Sequence, residues 1–235
     1  MTGRLVVLAS GTGTNLGAVI DAVEAGRLDA EVAAVFINRK EAKARLRAEK
    51  VGIPVQCWLL SRYHRLPATV EDSHAIAGDR DDGTAGGTAA KYNRIGPWFE
   101  DTRRHRYDAD LAEAVAGFQP DLVVLAGWMH LLSPAFLDRF PKQVINLHPA
   151  LPGEFPGSSA IVDAWEAFRA GHITSTGVMI HYVTDIGVDS GPVITSKEIP
   201  IQPDDTLDKL TQKIHQVEHE LIVTTIAQLL TRKNS

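Results

Sequence analysis

Apolar residues are distributed along this chain in two alternating patterns. Short uninterrupted apolar runs, such as LVVLA at 5–9 and again at 122–126, are typical of strands buried on both faces. Between them, apolar residues recur every three or four positions, as in amphipathic helices. The predicted strands are 5–9, 31–37, 54–58, 122–126, 144–147, 176–182 and 193–199. The predicted helices are 16–23, 42–50, 107–118, 158–170 and 206–231.

Strands that alternate with helices predict an α/β fold with a mostly parallel, twisted, Rossmann-like sheet and helices on both faces. We expect one domain over residues 1–235. The periodic pattern is lost at 61–103, where the segment GDRDDGTAGGTAA at 78–90 is small, polar and rich in glycine. This composition predicts a variable insertion on a surface loop.

A glycine-containing turn, SGTGTN at 10–15, joins the first predicted strand to the first predicted helix. This arrangement presents backbone N–H groups to an anion, and Thr14 and Asn15 can add side-chain donors or cap the helix. A dinucleotide-binding fingerprint is disfavoured, because Leu16 stands where its third glycine belongs and no acidic residue follows the second strand. The turn therefore indicates a site for a single phosphate, and a purely structural tight turn is the alternative.

The sequence VINLHPALPGEFPG at 144–157 begins with the predicted strand at 144–147 and continues into a loop rich in proline and glycine. Two polar side chains, Asn146 and His148, lie where the strand ends. Residues two apart on a strand point to the same side. Both side chains should therefore face the crevice beyond the carboxyl ends of the strands. A donor amide beside a titratable ring suits a reaction in which a carbonyl oxygen gains charge while a proton moves. A polar strand end with a capping histidine before Pro149 is the alternative.

Composition excludes several classes of function. The formal net charge is −5, so the sequence carries no basic footprint for nucleic acid. The one cysteine, Cys57, can form neither an intrachain disulfide nor a thiolate zinc site, which fits a reducing compartment. The first residues predict a strand rather than a signal segment, and no apolar run reaches the ~18 residues of a membrane span. We expect a cytoplasmic protein without nucleic-acid or membrane partners.

A possible zinc motif occurs on the last predicted helix, where His215, Glu218 and His219 match the pattern HxxEH. The two histidines share a helix face, but no acidic residue or histidine after Glu220 supplies a third ligand. We therefore expect no metal, and interpret this helix edge as facing solvent or the site.

Three segments taken together resemble the phosphoribosylglycinamide formyltransferases of purine biosynthesis, over roughly 5–230 without the insertion. They are LASGTGTNL at 8–16, INLHPALPGEFPG at 145–157 and GVMIHYVTDIGVDSGPVI at 177–194. The resemblance implies that Asn146, His148 and Asp189 are catalytic. It implies that the ribonucleotide substrate, with its phosphate, binds at Gly11, Gly13, Thr14, Asn15 and Glu218.

The same resemblance implies a cosubstrate, 10-formyltetrahydrofolate, and no metal. The folate slot maps onto Met129, His130, Leu131, Leu132, Val183, Thr184 and Asp185, and Arg104 resembles the arginine that meets the folate tail. The half of the chain at about 1–126 would bind the phosphate, and that at about 127–235 would bind folate and carry the catalysis. The sequence departs from the family pattern in the loop at 151–153 and at His130, where an arginine is common. We expect these two differences to affect the affinity for folate more than the reaction itself.

The implied reaction moves a formyl group from the folate to the amine of glycinamide ribonucleotide. Asp189 would orient His148, raise the pKa of its ring and relay a proton. The partners are then small molecules, and we expect a monomer or a weak homodimer.

Two other enzymes and one non-catalytic binding protein are alternative hypotheses. A hydrolase of formyltetrahydrofolate or a methionyl-tRNA formyltransferase would use the same three residues. The hydrolase has no use for a phosphate loop, and the tRNA enzyme would need a basic surface and usually a further domain after 235. A non-catalytic module that binds a phosphorylated sugar would keep the glycine turn but would not need the Asn–His–Asp set.

Overall fold

The computed structural model describes residues 2–65, 102–184 and 187–233. The predicted glycine-rich segment at 78–90 and most of the predicted insertion lie outside these residues. The strands are β1 (Gly3–Ala9), β2 (Ala30–Ile37), β3 (Val55–Cys57), β4 (Leu122–Leu125), β5 (Val144–His148), β6 (Ser175–Tyr182) and β7 (Val193–Pro200). The helices are α1 (Thr14–Glu24), α2 (Ala44–Lys50), α3 (Thr102–Ala116), α4 (Pro134–Leu137), α5 (Ala160–Arg169) and α6 (Leu207–Lys233), with a 3₁₀ helix at Leu60–Arg65.

The seven strands form one sheet in the order β3-β2-β1-β4-β5-β6-β7. The first five strands in the chain run parallel, and β6 and β7 are antiparallel to their neighbours. The chain builds outward from β1 on one side and then returns to β4 on the other. This reversal leaves a crevice beyond the carboxyl ends of β1 and β4, which is where ligands bind in open α/β sheets.

Helices cover both faces of the sheet, as the sequence pattern predicts. Leu5 and Val7 of β1 pack into one core with α1, α2, α5 and α6, whereas Val6 and Leu8 pack into a second core with α3 and α4. Each strand contributes to both cores, because successive side chains along a strand point to opposite faces of the sheet. This burial on both sides explains why the central strands are apolar without interruption.

Helices α3 and α4 depart most from the prediction, each for a physical reason. Helix α3 begins five residues before the predicted start at 107, because its first turn is polar and shows no apolar period. Helix α4, with Pro134 at its first position, was not predicted since four residues carry no periodicity. On α6, the hydroxyl of Thr206 accepts a hydrogen bond from the Lys209 N–H at 3.2 Å, which caps the helix where the sequence placed its start.

Candidate active site

A cavity of about 850 Å³ opens at the carboxyl ends of β1, β4 and β5. The loops after these three strands line it, together with the loop between β6 and β7 and one face of α6. Predicted site residues that line it are Gly11, Gly13, Thr14, Asn15, Met129, His130, Leu131, Leu132, Asn146, His148, Val183, Asp189 and Glu218. Residues that were predicted for three different roles therefore share one cavity.

The carboxylate of Asp189 joins the two polar residues of β5. Its Oδ1 accepts a hydrogen bond from Asn146 Nδ2 at 3.0 Å. Its Oδ2 accepts one from the Gly157 N–H at 2.9 Å and lies 3.2 Å from His148 Nδ1. The predicted convergence of Asn146, His148 and Asp189, which are distant in the chain, is therefore present, with no gap between the imidazole and the carboxylate.

Asp189 stays ionised although its side chain is only 12% exposed. Burial by itself would raise the pKa of Asp189, but the His181 and His148 rings and the Gly157 N–H outweigh it and hold the pKa below its ordinary value. The residue has a φ of 50°, in the left-handed region that aspartate tolerates better than most residues. The site thus contains a fixed negative charge beside the His148 ring.

The His148 ring lies between two groups that can only accept a hydrogen bond. Nδ1 faces Asp189, and Nε2 lies 3.0 Å from the carbonyl oxygen of Phe155. Burial lowers the pKa of His148, while Asp189 and the Phe155 carbonyl oppose that shift. The ring can donate to the Phe155 carbonyl through Nε2 and pair as a cation with Asp189 through Nδ1 only when it carries two protons. The surroundings therefore favour a neutral ring that gains stabilising partners on both sides when it accepts a proton.

His181, a buried histidine on β6 that was not predicted, completes this network. In the antiparallel pairing of β5 and β6, Asn146 lies directly opposite His181. The Nδ1 of His181 faces the Tyr182 carbonyl at 3.0 Å, which requires a hydrogen on that nitrogen. Its Nε2 lies 3.1 Å from Asn146 Nδ2 and 3.7 Å from Asp189 Oδ1, so the ring contacts both of these residues. His181 meets Asn146 through the pairing register of β5 and β6, which cannot be read from the sequence.

The Asn146 amide nitrogen thus lies within hydrogen-bond distance of two groups, Asp189 Oδ1 at 3.0 Å and His181 Nε2 at 3.1 Å. A substrate oxygen that takes a hydrogen bond from Asn146 must therefore replace one of these two partners. Catalytic hydrogen bonds commonly reach their final geometry only when the substrate is bound. The roles predicted for Asn146 and His148 as donors to an oxyanion stay predictions.

The glycine turn presents unused donors to the same cavity. Gly13 has a φ of 68° and precedes α1, which begins at Thr14. The backbone N–H groups of residues 11–15 have no partner among the described residues. Since the positive end of α1 points to the same place, the turn can receive an anion.

Glu218 of α6 faces the turn across the cavity and is 6% exposed. Burial raises the pKa of Glu218 to about 7, and a hydrogen bond from Asn15 Nδ2 at 3.4 Å only partly opposes this. His215, one turn earlier on α6, lines the cavity as well, and burial lowers the pKa of its ring. A carboxyl group that titrates near neutral pH therefore lies beside a candidate phosphate site.

The predicted folate residues divide into two groups. Met129, 51% exposed, lies with His130, Leu131, Leu132 and Val183 on the cavity wall. Burial lowers the pKa of His130 to about 4, helped by the charges of Arg104 and Arg39, so its ring is neutral. Arg104 and Thr184 do not line the cavity, and Asp185 lies outside the described residues.

Arg104 is instead held inside the protein, where it is 6% exposed. Its guanidinium donates to the Asp108 carboxylate at 3.2 Å and to the carbonyl of Leu131, which lines the cavity. A role in contacting the folate tail stays a prediction for this residue. Arg39, at the end of β2, does line the cavity and was not predicted.

The two histidines of the HxxEH pattern face different places. His215 lines the cavity, whereas His219 lines a separate groove of about 450 Å³ between α1, α2 and α6. Among the described residues, no three histidine, cysteine or acidic side chains are grouped as metal ligands. No helix in the described ranges is long and apolar enough to cross a membrane.

The raised pKa of Glu218 predicts a pH-dependent effect on stability. Its folded-state pKa, about 7, exceeds the ordinary value of 4.5, so the carboxyl opposes folding increasingly as pH rises through this interval. We expect the stability gained by Glu218→Gln over the parent protein to be larger at pH 8 than at pH 4.5, by roughly 1 to 3 kcal/mol. Urea unfolding at both pH values measures this. Glu220→Gln, at an exposed position paired with Lys197, is the control and should show no such increase.

Comparison with known proteins assigns the family. A model of the formyl transferase family matches residues 3–226. Phosphoribosylglycinamide formyltransferase of Schizosaccharomyces pombe is 40% identical over 98% of this chain and 99% of its own, and that of Dictyostelium discoideum is 37% identical over 99% and 100%. The crystal structure of glycinamide ribonucleotide transformylase 1 from Geobacillus kaustophilus matches 98% of this chain and 100% of its own with a TM-score of 0.75 and 33% identity. The chain therefore belongs to the formyl transferase family, among the phosphoribosylglycinamide formyltransferases.

Proposed function

We propose that this protein transfers the formyl group of 10-formyltetrahydrofolate to the amine of glycinamide ribonucleotide, giving N-formylglycinamide ribonucleotide and tetrahydrofolate. The observation that carries the proposal is the position of the Asp189 carboxylate between Asn146 and His148. This set lines the same cavity as a turn with unused N–H donors. A reaction centre and an anion site within one cavity suit a substrate that has an amine at one end and a phosphate at the other.

The ribonucleotide would bind with its phosphate on the turn formed by Gly11, Gly13, Thr14 and Asn15 and its amine directed toward His148. Glu218 contacts Asn15 of this turn and lines the same cavity as His148. With a pKa of about 7, its carboxyl can hold the amine by a hydrogen bond in either protonation state. This arrangement uses the phosphate to place the nucleophile.

Formyl transfer requires one bond to form and another to break. The amine nitrogen attacks the formyl carbon, the carbonyl oxygen becomes an oxyanion, and the bond from that carbon to the folate nitrogen breaks. Asn146 donates a hydrogen bond to the oxyanion in place of one of its two partners, and His148 donates one from the Nε2 that otherwise faces the Phe155 carbonyl. Each bond is worth about 3 to 4 kcal/mol in the transition state. The amine loses a proton and the folate nitrogen gains one. His148, steadied by Asp189, carries that proton, directly or through water.

The folate would lie along the wall formed by Met129, His130, Leu131, Leu132 and Val183. Exposed Met129 offers an adaptable apolar surface for a flat ring. Arg104, Thr184 and Asp185 are assigned to the same cosubstrate by the family resemblance. Catalysis needs no metal in this scheme.

We further infer a division of labour and a cellular setting. The first half, about 1–126, supplies the phosphate turn, and the second half, about 127–235, supplies the catalytic set and the folate wall. The net charge of −5 and the one cysteine support a cytoplasmic enzyme that acts on small molecules rather than nucleic acid. A monomer or weak homodimer is the proposed state.

One assay tests the reaction. The protein is mixed with 10-formyltetrahydrofolate and glycinamide ribonucleotide, and release of tetrahydrofolate is followed. We expect release that depends on the ribonucleotide. Release at the same rate without the ribonucleotide would establish a hydrolase instead, and no release in either case would reject formyl transfer.

Changes at the catalytic set should reduce turnover while leaving binding largely intact. His148→Ala removes the proton carrier, and Asp189→Asn places an N–H against the Gly157 N–H or the Asn146 amide. We expect kcat to fall about 100-fold or more for each variant. Steady-state kinetics with both substrates varied measures this, and near-parental kcat in either variant would remove its proposed role.

Changes at the turn should have the opposite kinetic signature. Thr14→Ala and Asn15→Ala remove donors from the phosphate site but do not touch the reacting carbon. We expect KM for the ribonucleotide to rise about tenfold, the loss of roughly one charge-assisted hydrogen bond, with a smaller change in kcat. If KM for the ribonucleotide stays at the parental value, the turn is structural.

A further inference from the structure

Helix α2 packs directly against the glycine turn and holds two of its carbonyl groups. The Ala44 N–H donates a hydrogen bond to the Gly11 oxygen at 3.2 Å. The Arg47 Nε–H donates one to the Thr12 oxygen at 3.1 Å. The contact is close, because a Cβ built on Gly13 would lie only 2.6 Å from the Ala44 Cα. Two consecutive peptide groups of the turn are thus bound to one short helix.

The geometry of the peptide bond converts these contacts into an orientation of the opposite groups. In a planar trans peptide, the C=O and the following N–H point in opposite directions. No cis peptide occurs in the described residues. Since the Gly11 and Thr12 carbonyls point to α2, the N–H groups of Thr12 and Gly13 point away from it. Both residues line the active-site cavity, and neither N–H has a partner among the described residues.

The Arg47 side chain reaches the turn by crossing the first turn of α1. A Cβ built on Gly17 would lie 3.2 Å from Arg47 Nη1, so the guanidinium rests where Gly17 leaves space. The side chain is exposed, and its Nε bond to Thr12 connects it to the rest of the site. Its charge lies beside the positive end of α1, an unfavourable placement unless an anion binds there.

We propose that Arg47 is a positioning residue for the phosphate subsite: it fixes the Thr12–Gly13 peptide with its N–H toward the cavity and adds positive charge behind the turn. Arg47 does not touch the reacting atoms, and it does not line the active-site cavity. It acts through the turn on the affinity for the phosphorylated substrate alone. This inference rests on the proposed placement of the ribonucleotide phosphate.

The test compares Arg47→Met and Arg47→Lys with the parent protein. Kinetics are measured with the ribonucleotide and with the same ribosylated amide lacking its phosphate. For Arg47→Met we expect KM for the ribonucleotide to rise about fivefold, less than for a buried charged hydrogen bond because the side chain is exposed. The kcat, the KM for the formylfolate and the kinetics with the unphosphorylated substrate should not change. Lysine, which can still donate to the Thr12 oxygen, should restore most of the affinity.

Arg45→Met is the matched control. Arg45 lies on the same helix and is exposed, but its guanidinium pairs with Glu49 at 2.7 Å instead of reaching the turn. Its removal should leave the KM for the ribonucleotide unchanged. A second measurement follows the amide resonances of Thr12 and Gly13 while inorganic phosphate is added, and Arg47→Met should weaken their response.

Each other outcome has a definite meaning. An unchanged KM for the ribonucleotide in Arg47→Met overturns the positioning role, as does an equal loss with both substrates or a fall in kcat. If the parent protein itself does not prefer the phosphorylated substrate, the phosphate placement in the proposed function is wrong, whatever Arg47 does. A fivefold effect that appears equally in Arg45→Met would indicate a general effect of helix charge and would also reject the proposal.

Discussion

The candidate active site depends on one carboxylate that accepts hydrogen bonds from several parts of the chain. Asp189 receives the amide of Asn146 on one oxygen and the Gly157 N–H on the other, where it also meets the His148 ring. Removing one partner of a buried charge destabilises the folded protein by several kcal/mol. The chain segments that bind Asp189 therefore hold each other in place. The loop between β6 and β7 and the end of β5 are thereby fixed relative to one another, although they are separated by about forty residues in sequence.

The change from parallel to antiparallel pairing at β5 supplies the remaining member of the network. Helix α5 connects β5 to β6 in the chain, and β6 runs in the opposite direction to β5. The reversed β6 places His181 opposite Asn146, with its Nε2 3.1 Å from the amide nitrogen. Asn146 is therefore held from two sides, by Asp189 and by His181.

The glycine turn is joined to this network through the end of β4. The Ser10 N–H donates to the Gly127 carbonyl at 3.1 Å, and the Ser10 hydroxyl accepts from the Met129 N–H at 2.8 Å. These bonds set the position of the turn relative to the predicted folate wall, while α2 sets the direction of its N–H groups. A substrate anchored by its phosphate would thus meet a cosubstrate on a wall that is bonded to the same turn.

The sequence by itself determined the strands, the longer helices and the catalytic candidates, because uninterrupted apolar runs, helical periodicity and the two-residue spacing of Asn146 and His148 are local patterns. Only the tertiary structure decided what depends on distant pairing. His181 is separated from Asn146 by thirty-five residues and meets it through an antiparallel register that no local pattern encodes. The inward position of Arg104 and the contact of Arg47 with the glycine turn are likewise set by packing between elements. A polar side chain shows in sequence which chemistry it can perform, but its partner is chosen by the fold.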